Sequence, residues 1–90
     1  MNRTEFETSA TADGYEIVDR EMAAGHVNPE HSHEFDARLL MLEGEMTVTY
    51  KDGPVTYRAG DTCALAAGTM HAEQCRPNGA RYLAARKFKK

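Results

Sequence analysis

The sequence predicts an all-β fold, a sandwich or barrel built from short strands, and three observations carry that prediction. Turn signals recur through the 90 residues: Asp13-Gly14, Asn28-Pro29, Glu43-Gly44, Asp52-Gly53-Pro54, Ala59-Gly60-Asp61, Ala67-Gly68 and Pro77-Asn78-Gly79. The segments between them are of strand length. In Met46-Thr47-Val48-Thr49-Tyr50 the pattern alternates, so Met46, Val48 and Tyr50 share one face of an extended strand.

Taken in order, the predicted strands are 4–9, 14–24, 27–33, 37–43, 45–51, 54–58, 62–66, 70–76 and 81–88. The first alternates Glu5, Phe6 and Glu7, as an edge strand or one exchanged with a second subunit would. Segment 37–43 is the one stretch that also reads as a helix, because its residues are good helix formers. Its shortness and the following Gly44 favour a strand buried on both faces. Asp52-Gly53 closes a tight hairpin. Met22, Leu40, Met41, Leu42, Met46, Val48 and Leu65 are the expected core, or the apolar lining of a small pocket. No linker or internal repeat divides the chain, so residues 1–90 read as a single domain.

The formal net charge of −3 argues against nucleic acid as a partner. Residues 1–36 carry most of the acids against only Arg3 and Arg20, while 81–90 carry Arg81, Arg86, Lys87, Lys89 and Lys90 with no acid. The favoured reading of that basic end is a solvated tail after the last strand. A phosphate-binding arm, and pairing with the N-terminal acids, are the alternatives. No apolar run approaches the ~20 residues that span a bilayer. The N-terminus lacks the basic-then-apolar order of a signal peptide, so no membrane partner and a cytoplasmic location are expected. Cys63 and Cys75 lack a C-x-x-C spacing and read as buried, reduced thiols. Open strand edges and a small core argue for a homodimer.

The chemistry lies in the histidines. His31 and His33 are two apart, so one strand presents both on the same face, and His71 must be brought to them by a sheet that folds back. Three imidazoles so gathered are a site for a divalent transition metal. His26 has the opposite parity and is expected in solvent.

Around these histidines the sequence resembles the cupin superfamily. Its first motif is glycine, five residues, His-x-His, three or four residues, Glu, six residues, glycine; here Gly25, His31, His33 and Gly44 keep every spacing. Its second is glycine, five residues, Pro-x-Gly, two residues, His, three residues, Asn; here Gly60, Gly68 and His71 stand in place. The resemblance implies a double-stranded β-helix jelly roll whose two motifs meet inside the barrel, and it too suggests a dimer. It also implies His31, His33 and His71 as ligands of iron, zinc, nickel, manganese or copper.

The departures are as informative. The glutamate ligand's position is Ala37, or Arg38 at the longer spacing; the proline is Ala66 and the asparagine Cys75. Three protein ligands leave positions open for a small-molecule ligand, as catalytic sites do. Thiol and diketone dioxygenases among cupins have a similar three-histidine set, which implies an enzyme of dioxygenase type; a non-catalytic binding or sensing module is the alternative. Strand parity offers a replacement carboxylate. If His71 points inward so do Glu73 and Cys75, making Glu73 a fourth ligand, an acceptor orienting a ligand, or a solvent-facing residue of a bulged strand. Cys75 reads first as a small core residue and second as a ligand. Glu34 and Asp36 have the wrong parity and belong at the mouth or surface.

Overall fold

The computed structural model describes residues 1–88, without the side chains of 76–78. Its elements are α1 (Arg3–Ala12), β1 (Glu16–Met22), β2 (Val27–His31), β3 (Phe35–Tyr50), β4 (Gly53–Arg58), β5 (Thr62–Leu65) and β6 (His71–Phe88). All strand pairings are antiparallel. The all-β expectation holds for everything except the first element.

That exception has a local cause. Asn2 caps a helix: its side-chain oxygen accepts the Glu5 N–H at 2.9 Å, and Glu5 returns the bond by accepting the Asn2 N–H at 3.3 Å. Arg3 and Glu7 pair one turn apart at 3.0 Å. Phe6 and Ala10, four apart, are the two buried residues of the helix. The predicted strand 4–9 is therefore wrong. The alternation at Glu5, Phe6 and Glu7 masked a capping box and an i, i+4 apolar pair. It follows that this segment is neither an edge strand nor an exchanged one.

The long strands β3 and β6 organise the sheet. The C-terminal half of β6 pairs with the N-terminal half of β3 (Ala37 opposite Arg86, Leu39 opposite Ala84), flanked by β1 and β5. The N-terminal half of β6 pairs with the C-terminal half of β3 (Met46 opposite Cys75, Val48 opposite Glu73), flanked by β2 and β4. The predicted turns at Glu43-Gly44 and Pro77-Asn78-Gly79 do not end strands; they lie where both chains continue and the register shifts. The predicted pairs 37–43 with 45–51, and 70–76 with 81–88, are thus single bent strands. Asn28-Pro29 likewise lies inside β2, at an irregularity in its pairing with β6. The hairpin at Asp52-Gly53 forms as expected, with Tyr50 opposite Gly53.

Two apolar clusters result. The inner one holds Met22, Ala37, Leu39, Met41, Met46, Val48, Cys63, Leu65, Cys75 and Ala80. The outer one holds Phe6 and Ala10 of α1 on Leu40, Leu83 and Ala85. Strand β3 is buried on both faces because α1 covers its outer side. Leu40 and Leu42 accordingly belong to the outer cluster and do not line a central pocket.

The basic end is not a tail after the last strand. Residues 81–88 form the middle of the sheet, and Arg81 pairs with Asp19 across β1 at 2.9 Å. Lys89 and Lys90 lie outside the described residues.

Gly44 carries the bend. Its φ is +76°, and a Cβ there would collide with the Gly79 carbonyl oxygen of the neighbouring strand. Gly25 has a similar φ of +75° with nothing nearby. Gly25→Ala is expected to cost only the left-handed backbone penalty, about 1–2 kcal/mol, whereas Gly44→Ala must also push two central strands apart. Urea denaturation of the two variants should show the larger loss at Gly44; equal losses would mean that the close approach does not constrain the fold.

Candidate metal centre

His31 ends β2, His33 follows in the connection to β3, and His71 opens β6 directly opposite His31. The three expected ligands are thus brought together. Their ring centroids lie 4.4 Å (His31–His71), 4.8 Å (His31–His33) and 5.3 Å (His33–His71) apart. One nitrogen from each lies within 4.8 Å of the others, an arrangement that could hold a metal ion.

Backbone carbonyls set the tautomers. The Nδ1 of His31 is 2.7 Å from the Pro29 carbonyl, and the Nδ1 of His71 is 2.9 Å from the Thr69 carbonyl. A carbonyl oxygen only accepts, so both rings donate through Nδ1–H, and in the neutral rings Nε2 carries the lone pair. The Nε2 of His71 is buried and has no hydrogen-bond partner among the described residues, a loss of about 1–3 kcal/mol unless something takes up the lone pair. A metal ion does so, and the donor set fits one. His33 stacks on Phe35 at 4.6 Å. Burial, followed by the neighbouring His31 and His71, pushes its pKa below the ordinary value, which favours the neutral, ligating form.

Glu73 faces the same way as His71, as parity requires. Its side chain is only 11% exposed, and Oε1 lies 3.6 Å from the Nε2 of His31. Asn28 donates to Oε1 at 3.1 Å, and His26 in turn donates through Nε2 to the Asn28 side-chain oxygen at 2.8 Å. A carboxylate oxygen facing an imidazole lone pair is unfavourable alone, and a cation shared between them relieves it. The solvent-facing alternative for Glu73 is excluded. His26 is exposed as expected, and its contact with the centre runs through Asn28. Cys75 is fully buried in the inner cluster and lies outside the histidine group, the core role that its sequence context favours. Glu34 is exposed, while Asp36 accepts the Ala67 N–H at 2.9 Å and so braces the loop before His71.

The centre opens on a cavity of about 570 Å³. Phe35, Ala37, Leu39, Leu65 and Ala84 give it an apolar wall; Arg20, Tyr82 and Arg86 are polar groups on its lining. Sequence reasoning missed Asn28, Tyr82 and both arginines. Asn28 carried only a turn signal, and the inward aim of residues 82–86 depends on a parity change within β6 that no local pattern announces.

Comparison with known proteins agrees with this architecture. The cupin domain family matches residues 18–80, more than half of the chain, and the protein therefore belongs to the cupins. A protein of unknown function from Rhizobium leguminosarum is similar in structure at a TM-score of 0.78 and 18% identity, over 86% of this chain and 73% of that one. A cupin superfamily protein from Desulfitobacterium hafniense is similar at 0.71 and 17%, over 82% and 79% respectively. The polyketide cyclase RemF from Streptomyces resistomycificus is similar at 0.72 and 23%, over 84% and 58%. At these identities the likeness establishes the cupin fold alone. Among curated proteins, none matches the chain's sequence.

Zinc titration of metal-stripped protein, followed by calorimetry and thermal melting, tests the centre. The wild type should take up one ion, and zinc at a hundredfold excess over Kd should add about 2.7 kcal/mol of stability. His71→Ala should abolish both effects. Glu73→Gln should retain binding but weaken it about 10- to 100-fold, and an unchanged affinity would remove Glu73 from the centre.

Proposed function

We propose that this cupin is a metal-dependent enzyme of dioxygenase type that acts on a small organic molecule, with His31, His33 and His71 as the protein ligands. The observation that carries this reading is the buried, unpartnered Nε2 of His71 facing two further imidazoles at the end of a cavity. An iron, zinc, nickel, manganese or copper ion bound there supplies Lewis acidity and open positions for substrate or dioxygen. The chain's own residues do the rest. Pro29 and Thr69 hold two imidazoles in the ligating tautomer, Glu73 balances positive charge beside His31, and the apolar wall keeps bulk water from the substrate.

One feature favours a second reading, a non-catalytic module that binds or senses a metal or small molecule. Among the described residues lining the cavity, the acids are Glu73, tied to Asn28 and His31, and Glu30, which is exposed. Neither is poised to move a proton to or from a bound molecule.

A cytoplasmic homodimer belongs to the same proposal. Two buried cysteines without a disulfide suit a reducing compartment. Among the described residues β1, β2, β4 and β5 each pair with one strand only, which leaves edges for a second copy. Among the same residues no helix is long and apolar enough to cross a membrane.

Two measurements test these readings. Oxygen uptake by the metal-loaded protein, assayed with small thiols and diketones, should appear with one substrate class and vanish on chelation; a fully loaded but inert protein would establish the binding module instead. Sedimentation equilibrium at micromolar protein should return twice the chain mass, and a monomer mass would overturn the dimer.

A further inference from the structure

The cavity beside the histidines has a polarity that the metal centre does not explain. Arg86 lies on β6 directly opposite Ala37 on β3, and both line the cavity. Its guanidinium is poorly matched. Among the described residues the Nε is buried without a hydrogen-bond partner, and the acid that Nη2 reaches is Glu16, 3.9 Å away on a side chain 75% exposed. Such a long, solvated pair contributes little. The Arg86 guanidinium also lies 5.8 Å from the centre of the Phe35 ring, and Phe35 stacks on His33, so an aromatic surface connects the cation to the metal centre.

Ala37 occupies the place of the glutamate in the first cupin motif, and opposite Arg86 in the register it offers a methyl group with no charge to pair with the guanidinium. A carboxylate brought in by a ligand would find there a cation with an unpaired N–H donor, of the residue type whose fork suits a planar carboxylate, with apolar wall nearby. Arg20 also lines the cavity, but the register sets it opposite Tyr82, whereas Arg86 lies opposite Ala37.

We propose that the cavity binds small organic acids with an apolar body, the carboxylate held by Arg86 over Ala37 and the body lying along Phe35, Leu39 and Leu65 toward the histidines. The proposal rests on the metal reading only for what lies at the far end of the ligand. Arg86 is a binding residue here, and Ala37 is what makes room.

The test is calorimetric binding of benzoate to zinc-loaded protein, with benzamide, acetate and inorganic phosphate as comparisons and with zinc content measured for every sample. Benzoate should bind about 10- to 100-fold more tightly than neutral benzamide, and more tightly than acetate or phosphate. Arg86→Gln should lose the same factor while keeping its zinc, and Arg86→Lys should recover part of it. Ala37→Glu is the second arm: it places a carboxylate opposite Arg86 and should abolish benzoate binding with zinc retained. Equal affinity for benzoate and benzamide, tighter binding of phosphate, or a loss that follows Arg20→Gln instead of Arg86→Gln would each overturn the proposal while leaving the metal centre intact. Failure of the wild type to hold zinc, together with Arg86-dependent benzoate binding, would sink the metal reading and leave the acid site standing.

Discussion

The structure depends on one constraint, the shift of register where β3 and β6 cross at Gly44 and Gly79. Both glycines have positive φ, and no Cβ fits between the two backbones at Gly44. On β6 the inward residues are His71, Glu73 and Cys75 before the shift, and Ala80, Tyr82, Ala84 and Arg86 after it. On β3 they are Ala37, Leu39 and Met41 before it, and Met46, Val48 and Tyr50 after it. Each strand changes parity at the shift, so both of its halves address the same interior. Without that change, one half of each strand would turn its apolar side to solvent.

The histidine cluster is an outcome of the same geometry. His71 is held at the start of β6 against the end of β2, and the pairing places its ring on that of His31. Two backbone carbonyls then orient the imidazoles, and Asn28 holds the one nearby deep carboxylate. None of these supports is a metal ligand in the cupin motifs, yet they decide which nitrogen faces the centre and how much negative charge lies beside it. The loss of the motif glutamate has two structural consequences. It leaves Glu73, on a different strand, as the carboxylate nearest the histidines, and it leaves a cavity in which Arg86 lacks a strong partner.

Helix α1 shows how a local signal can be read with the wrong period. The same residues satisfy an alternating pattern at Glu5, Phe6 and Glu7 and a helical one at Phe6 and Ala10. The Asn2–Glu5 capping box resolves the choice at the chain's start, and the outer cluster on Leu40, Leu83 and Ala85 supplies the burial that makes the helix worthwhile. The basic residues at 81–88 illustrate the opposite error. Their charge suggested solvent, but Leu83 and Ala85 alternate with Tyr82, Ala84 and Arg86 through a central strand, and the tips of Arg81 and Arg86 reach acids on β1.

The sequence alone determined the β architecture and the hairpin at Asp52-Gly53, because turn chemistry and strand alternation are local properties, and its motif spacing grouped the three histidines. Strand parity offered the inward aim of Glu73 as one of two alternatives, which the structure decided. It also determined that the motif carboxylate is absent, since Ala37 has no side-chain donor. Only the tertiary structure decided that 37–43 and 45–51 are one strand, that 70–76 and 81–88 are another, and that Arg86 shares a cavity with His31 and His33. Those facts follow from a register shift between strands some thirty residues apart in the chain, and register is a property of the pair, which neither strand carries alone.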